Sequence, residues 1–236
     1  MGYKYLGDTD NDGQFNYEII FTTFIDCNSP FWGFSFPEPS RNVGVYEGPK
    51  NPSTDLPLIE SVTLQLTDST KISPEIPNQC TFSSNPCLYE VVYKGTVDVP
   101  STFEGYHLFY DRCCRNDSIK NLDAPGDQGM VFGAYIPPTL LENNSPTFSD
   151  VPAAFICKDD TTSIINTAVD DDGDLMVFSF VRPYKGFGDS LNPAPPLPAP
   201  RPANIPKVDW ETNYNKNDPF GPNGFASINA STGFTQ

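Results

Sequence analysis

Six cysteines carry the most explicit chemistry in this chain: Cys27, Cys80, Cys87, Cys113, Cys114 and Cys157. Thiols in that number point to a disulfide framework and an oxidising compartment outside the cytosol. Cys113 and Cys114 are adjacent and follow the run Tyr106-His107-Leu108-Phe109-Tyr110-Asp111-Arg112. Successive side chains of a strand point to opposite faces, so these two are expected to find different partners. Cys80 and Cys87 bracket a short loop and are the easiest pair to join, for about 2–3 kcal/mol of loop entropy. Cys27 shares the apolar face of its strand and is expected to reach Cys113 or Cys114, closing a longer loop for about 4–5 kcal/mol. Cys157 would take the remaining member of the adjacent pair. Zinc is a weak alternative, since no two CxxC pairs occur and His107 is the sole histidine. Within its aromatic run, His107 reads as a satisfied sheet residue.

Carboxylates form the second candidate chemistry. Asp8-Thr9-Asp10-Asn11-Asp12-Gly13 opens like a calcium loop, with Asp8, Asp10 and Asp12 free to converge on one cation. Ile19 stands where an EF-hand needs a bidentate glutamate, which excludes a true EF-hand. A looser calcium turn and a plain hairpin both stay open. Asp170-Asp171-Asp172-Gly173-Asp174 places four carboxylates in a short run, and a structural calcium site at the junction of two modules is expected there; a solvated turn is the competitor. A third candidate is Phe31-Trp32-Gly33-Phe34-Ser35-Phe36, whose alternation puts Trp32, Phe34 and Phe36 on one side, where they could stack on sugar rings or cap a core.

The elements that must position these groups read as strands. Phe15, Tyr17, Ile19, Phe21, Thr23, Ile25 and Cys27 share one face of an extended run. Leu58, Val62, Leu64 and Leu66 form another such face, and Cys87, Tyr89, Val91, Tyr93, Val97 and Val99 a third. Further strands are expected over 42–47, 106–114, 130–136, 163–169, 175–181 and 225–229, and no helical periodicity appears. The expected class is all-β: tandem antiparallel β-sandwich modules, Ig-like in architecture and stapled by disulfides. A polar, proline-marked stretch at Asn143-Asn144-Ser145-Pro146 divides a module over 1–145 from a smaller one over 146–236. Asn192 to Pro206 is proline-rich and expected to run as a stiff surface loop, or to dock a proline-recognition domain.

Composition narrows the partners. The chain has 236 residues, 25 prolines and 17 glycines, and 30 acidic against 14 basic side chains for a net charge of −16. That charge repels nucleic acid and anionic lipid and leaves calcium as the natural small partner. No run is apolar enough to span a membrane as a helix, so no membrane insertion is expected. Met1 to Tyr5 leads into a polar turn rather than a leader, so both ends are expected to have been cut from a longer precursor.

The order of motifs resembles a family. Tyr5-Leu6-Gly7-Asp8, Asn16-Tyr17-Glu18-Ile19, Ile25-Asp26-Cys27, Pro86-Cys87-Leu88-Tyr89-Glu90, Gly105-Tyr106-His107-Leu108 and Arg112-Cys113-Cys114-Arg115-Asn116 follow one another. The set is similar to gliding-motility-associated, PKD-type cell-surface proteins of Bacteroidota exported by the type IX secretion system. The part from Ser145 to Gly233 resembles cadherin-like Ig modules, in which the aspartate turn holds calcium, and the resemblance implies Asp170, Asp172 and Asp174 as its ligands; such modules continue past the Thr-Gly turn, so this one is expected to be incomplete at its C-terminus. The resemblance implies an adhesin-like glycoprotein, secreted to the bacterial cell surface, with no catalytic residues. It also implies O-glycosylation at Ser69, Ser118, Thr161 and Ser190, each after an aspartate.

The function expected is therefore a non-catalytic structural or adhesive module, used in adhesion, gliding or filament building. Its partners would be extracellular glycans or proteins and other modules of the same chain. The alternative is a carbohydrate-binding module of a secreted protein. A two-carboxylate glycosidase ranks last, because no catalytic pattern accompanies the acidic residues.

Overall fold

The computed structural model describes residues 1–28, 37–72, 87–148, 151, 156, 161–193, 196–222 and 224–236. The chain is all-β. Seven strands build one antiparallel sheet: β1 (Gly2–Gly7), β2 (Gln14–Asp26), β3 (Ser40–Glu47), β4 (Leu58–Ile72), β5 (Leu88–Pro100), β6 (Tyr106–Arg112) and β7 (Met130–Ile136), in the order β1-β2-β5-β4-β3-β6-β7. The sheet curls, as in a β-sandwich. Phe21 of β2 packs on Tyr110 of β6 and Phe132 of β7 at ring separations of 4.9 and 5.5 Å, although three strands separate β2 from β6 in the sheet.

Period-two patterning explains the interior. Tyr17, Ile19 and Phe21 of β2, Val91, Tyr93, Val97 and Val99 of β5, and Val62 and Leu64 of β4 all point inward and are buried. Each of these strands alternates, so one face is apolar and the other is wet. β6 differs, with Tyr106 to Tyr110 buried on both faces. The outer face of β6 and β3 carries a second core of Tyr46, Leu56, Phe109 and Ile205, with Phe187 packed against it. Residues from the proline-rich part of the chain thus cover the back of the sheet.

Later elements are short: β8 (Thr147–Phe148) pairs with β10 (Ala168–Val169), and β9 (Ile164–Ile165) with β11 (Phe234–Thr235). The strand expected over 163–169 is split into two. Among the described residues no ladder forms over 175–181, where one backbone bond, from Phe178 N–H to Ala230 O, is made instead. β1 departs from expectation in the other direction: Gly2–Gly7, read as the approach to a turn, is an edge strand paired in register with β2.

Both described disulfides correct the expected pairing. Cys27 bonds Cys87, with Cα atoms 5.3 Å apart, and Cys113 bonds Cys114. Cys27 and Cys87 are opposed because β2 and β5 pair from Gln14↔Pro100 to Asp26↔Leu88, and the next residues out are the two cysteines. The opposite-faces argument fails for Cys113 and Cys114 because β6 ends at Arg112. Beyond it the chain leaves the sheet, and strand alternation no longer governs. Cys80 and Cys157, like Trp32, Phe34 and Phe36, lie outside the described residues.

Candidate binding cleft and acidic turns

The first acidic turn sits at the tip of the β1–β2 hairpin. The Asp8 carboxylate accepts the N–H groups of Asp12 and Gly13, both at 3.1 Å, and Asp12 accepts the backbone and side-chain amides of Gln14, both at 2.8 Å. Those Gln14 bonds hold the Asp12 carboxyl below the usual carboxylate range. Gly13, at φ 83°, takes a conformation that a residue with a Cβ rarely adopts. Oxygens of Asp8, Asp10 and Asp12 lie within 4.8 Å of one another, the one such group among the described residues. A cation fits that spacing, but two of the three carboxylates already close the turn.

The second turn is used differently. Asp170 accepts the N–H groups of Asp172 and Asp174 at 3.0 and 3.1 Å. Asp172 accepts from the Asn144 side-chain amide at 2.9 Å, and Asp174 from the Asn143 amide at 3.0 Å. Asn143 and Asn144 also bind β1, accepting from the Tyr3 hydroxyl and the Tyr5 N–H. Asn143 and Asn144 thus clasp this turn to the edge of the sheet. Burial first, then Tyr17 and the carboxylates of Asp170, Asp172 and Asp174, push the Tyr3 phenol well above its usual range.

A cleft of about 800 Å³ is lined by Trp210, Phe180, Phe220, Phe225 and Ile164, with Lys216 on its wall. Its position follows from the residues that anchor Trp210. Gln128, 4% exposed, accepts the Asp209 N–H at 2.7 Å and donates to the Asp209 carbonyl at 3.0 Å. Trp210 bridges Leu122, and the Asp209 carboxylate meets Lys185 at 2.6 Å and Arg182 at 3.5 Å. The Lys185 hydrogen bond, then the two positive charges, hold the Asp209 carboxyl below its usual range.

No family model, curated protein or solved structure matches the chain. The site is therefore read from its own geometry. An indole and three phenyl rings around a cavity of this size can stack on a sugar or grip an apolar side chain, while Lys216 offers one positive charge to an acidic group.

The remaining candidates fall into place. Ser69, Ser118, Thr161 and Ser190 are all solvent-exposed. His107 is buried, and its Nε2 donates to the Pro49 carbonyl at 2.8 Å while the ring stacks on Phe109. Sequence reasoning missed Gln128, Trp210 and the buried arginine Arg201. Arg201 had one legible signal: an arginine between Pro200 and Pro202, in a chain whose apolar strand β6 carries Asp111.

Proposed function

We propose that this chain is a non-catalytic contact module of a bacterial cell-surface protein, of the adhesive, gliding-associated kind that its motifs resemble. The observation that carries the reading is the aromatic cleft at Trp210, anchored through Gln128 and Leu122 to the connection between β6 and β7. A ring held by backbone pairing is preorganised for contact and loses little freedom on binding. The Cys27–Cys87 bond suits an extracellular setting, and the exposed Ser69, Ser118, Thr161 and Ser190 are where glycans would attach. Calcium belongs to this proposal at Asp8, Asp10 and Asp12, whose oxygens are close enough to share an ion; the carboxylates of Asp172 and Asp174 are engaged by Asn144 and Asn143. The other reading, a carbohydrate-binding module, is favoured by the same indole, since sugar rings stack on such faces. A glycan and surface-protein array probed with the purified chain separates the two. Glycan retention lost in Trp210→Ala supports the carbohydrate reading; protein retention lost in the same variant supports the adhesive one. Retention of neither class refutes both.

A further inference from the structure

Residues 175–181 show a strand's side-chain alternation without a ladder partner among the described residues. Leu175, Val177 and Val181 are 93%, 75% and 70% exposed, whereas Met176, Phe178 and Phe180 are half-buried. Among the described residues, the one backbone bond of the segment runs from Phe178 N–H to Ala230 O at 2.9 Å. In an extended chain the main-chain groups of alternate residues point to opposite edges. Phe178 is turned toward Ala230, so the groups of Leu175, Val177, Ser179 and Val181 are turned toward the other edge. An apolar edge of this kind is a ready template for another strand.

Opposite charges flank the segment. The aspartate turn of 170–174 precedes it, and Arg182 and Lys185 follow, two cations sharing the single carboxylate of Asp209. A surplus of negative charge therefore stands at one end and a surplus of positive charge at the other.

We propose that this edge is a twofold interface and that its occupant is a second copy of the same chain, with residues 175–181 running antiparallel to themselves about Phe178. That register sets Leu175 opposite Val181 of the second copy and Val177 opposite Ser179. It matches outward-facing main-chain groups with outward-facing ones and repeats every contact by symmetry. The aspartate turn of each copy then lies beside Arg182 and Lys185 of the other, so each acidic end meets a basic one. Charge complementarity thus selects a copy in the antiparallel sense, and directly opposed apolar side chains add to it. The inference goes beyond the proposed function; Phe180 and Val181 of this edge also line the Trp210 cleft.

Sedimentation velocity over a concentration series tests it, with circular dichroism to confirm the fold of each variant. The expected result is a dimer that grows with concentration. Val177→Lys, at a position exposed in the monomer, should weaken association by about tenfold or more. Lys185→Asp should weaken it too, and adding Asp171→Lys to Lys185→Asp should restore it. A monomer at every concentration overturns the proposal, as does a dimer unchanged by Val177→Lys. Failure of the charge swap to restore association overturns the register about Phe178.

Discussion

Arg201 and Asp111, 90 residues apart, form a two-pronged ion pair at 2.6 and 3.1 Å with side chains only 0% and 3% exposed. Around the guanidinium stand Phe109, with its ring centre at 4.1 Å, and Phe187 at 5.3 Å. Arg201 also exchanges both backbone hydrogen bonds with Leu56. Arg201 therefore fastens the proline-rich stretch to the back of the sheet. Gly186 allows the close fit: at φ +67° it lies so near Asp111 that a Cβ would meet Oδ1 at 2.5 Å. Removing one partner of such a pair leaves a buried charge uncompensated. Arg201→Ala should cost about 3–5 kcal/mol in denaturant unfolding, and Arg201→Met with Asp111→Leu should recover most of it. A loss below about 1 kcal/mol would show that the pair is not a fastening.

The two described disulfides should differ sharply in worth. Cys27 and Cys87 are 60 residues apart, and closing a loop of that length contributes about 4 kcal/mol in the chain-entropy account. Cys113 and Cys114 close no loop, so the same account assigns them almost no loop entropy. Cys27→Ser with Cys87→Ser should lower stability by about 4 kcal/mol, and Cys113→Ser with Cys114→Ser by much less. Equal losses would contradict this.

Tyr17 is fully buried, and its hydroxyl has no hydrogen-bond partner among the described residues. Burial leaves its phenol raised well above the ordinary range. Removing an unsatisfied buried hydroxyl while keeping the ring should be neutral or stabilising by up to about 1 kcal/mol. Thermal melting of Tyr17→Phe checks this, and a marked drop in the melting temperature would reveal a partner for the hydroxyl.

His107 gives a pH dependence with a defined sign. Burial depresses its pKa, outweighing the hydrogen bond to Pro49 that opposes the shift. The unfolded chain then binds a proton before the folded one does. Stability is full above the unfolded histidine pKa and falls as pH drops through it toward the folded value. Because His107 is the one histidine, comparing urea unfolding of the native chain and His107→Gln from pH 7.5 down to 5.5 isolates the effect. The native chain should lose stability relative to the variant over that interval; parallel curves would contradict the shift.

Much of the sheet was legible because its strands obey one simple rule. β2 and β5 carry mirror-image alternation ending in Cys27 and Cys87, and pairing the two runs end to end would have joined those cysteines. Short sequence distance favoured Cys80 instead, whereas the ladder register decided the matter. β1 was hidden because Gly2 to Gly7 is short and its burial is one-sided. Residues 175–181 have the alternation of a strand, but alternation alone does not supply a neighbour. The Trp210 cleft was the least legible part. It depends on Gln128 reaching the backbone of Asp209, 81 residues away, and nothing local in either residue announces that bond.

The most direct test of the contact reading is retention of the purified chain on a panel of polysaccharides and bacterial surface proteins, with reducing ends assayed in the same wells. Saturable retention that is lost in Trp210→Ala, with no new reducing ends, is the result expected of a module that works by contact. Release of reducing ends, or retention unchanged by Trp210→Ala, would contradict it.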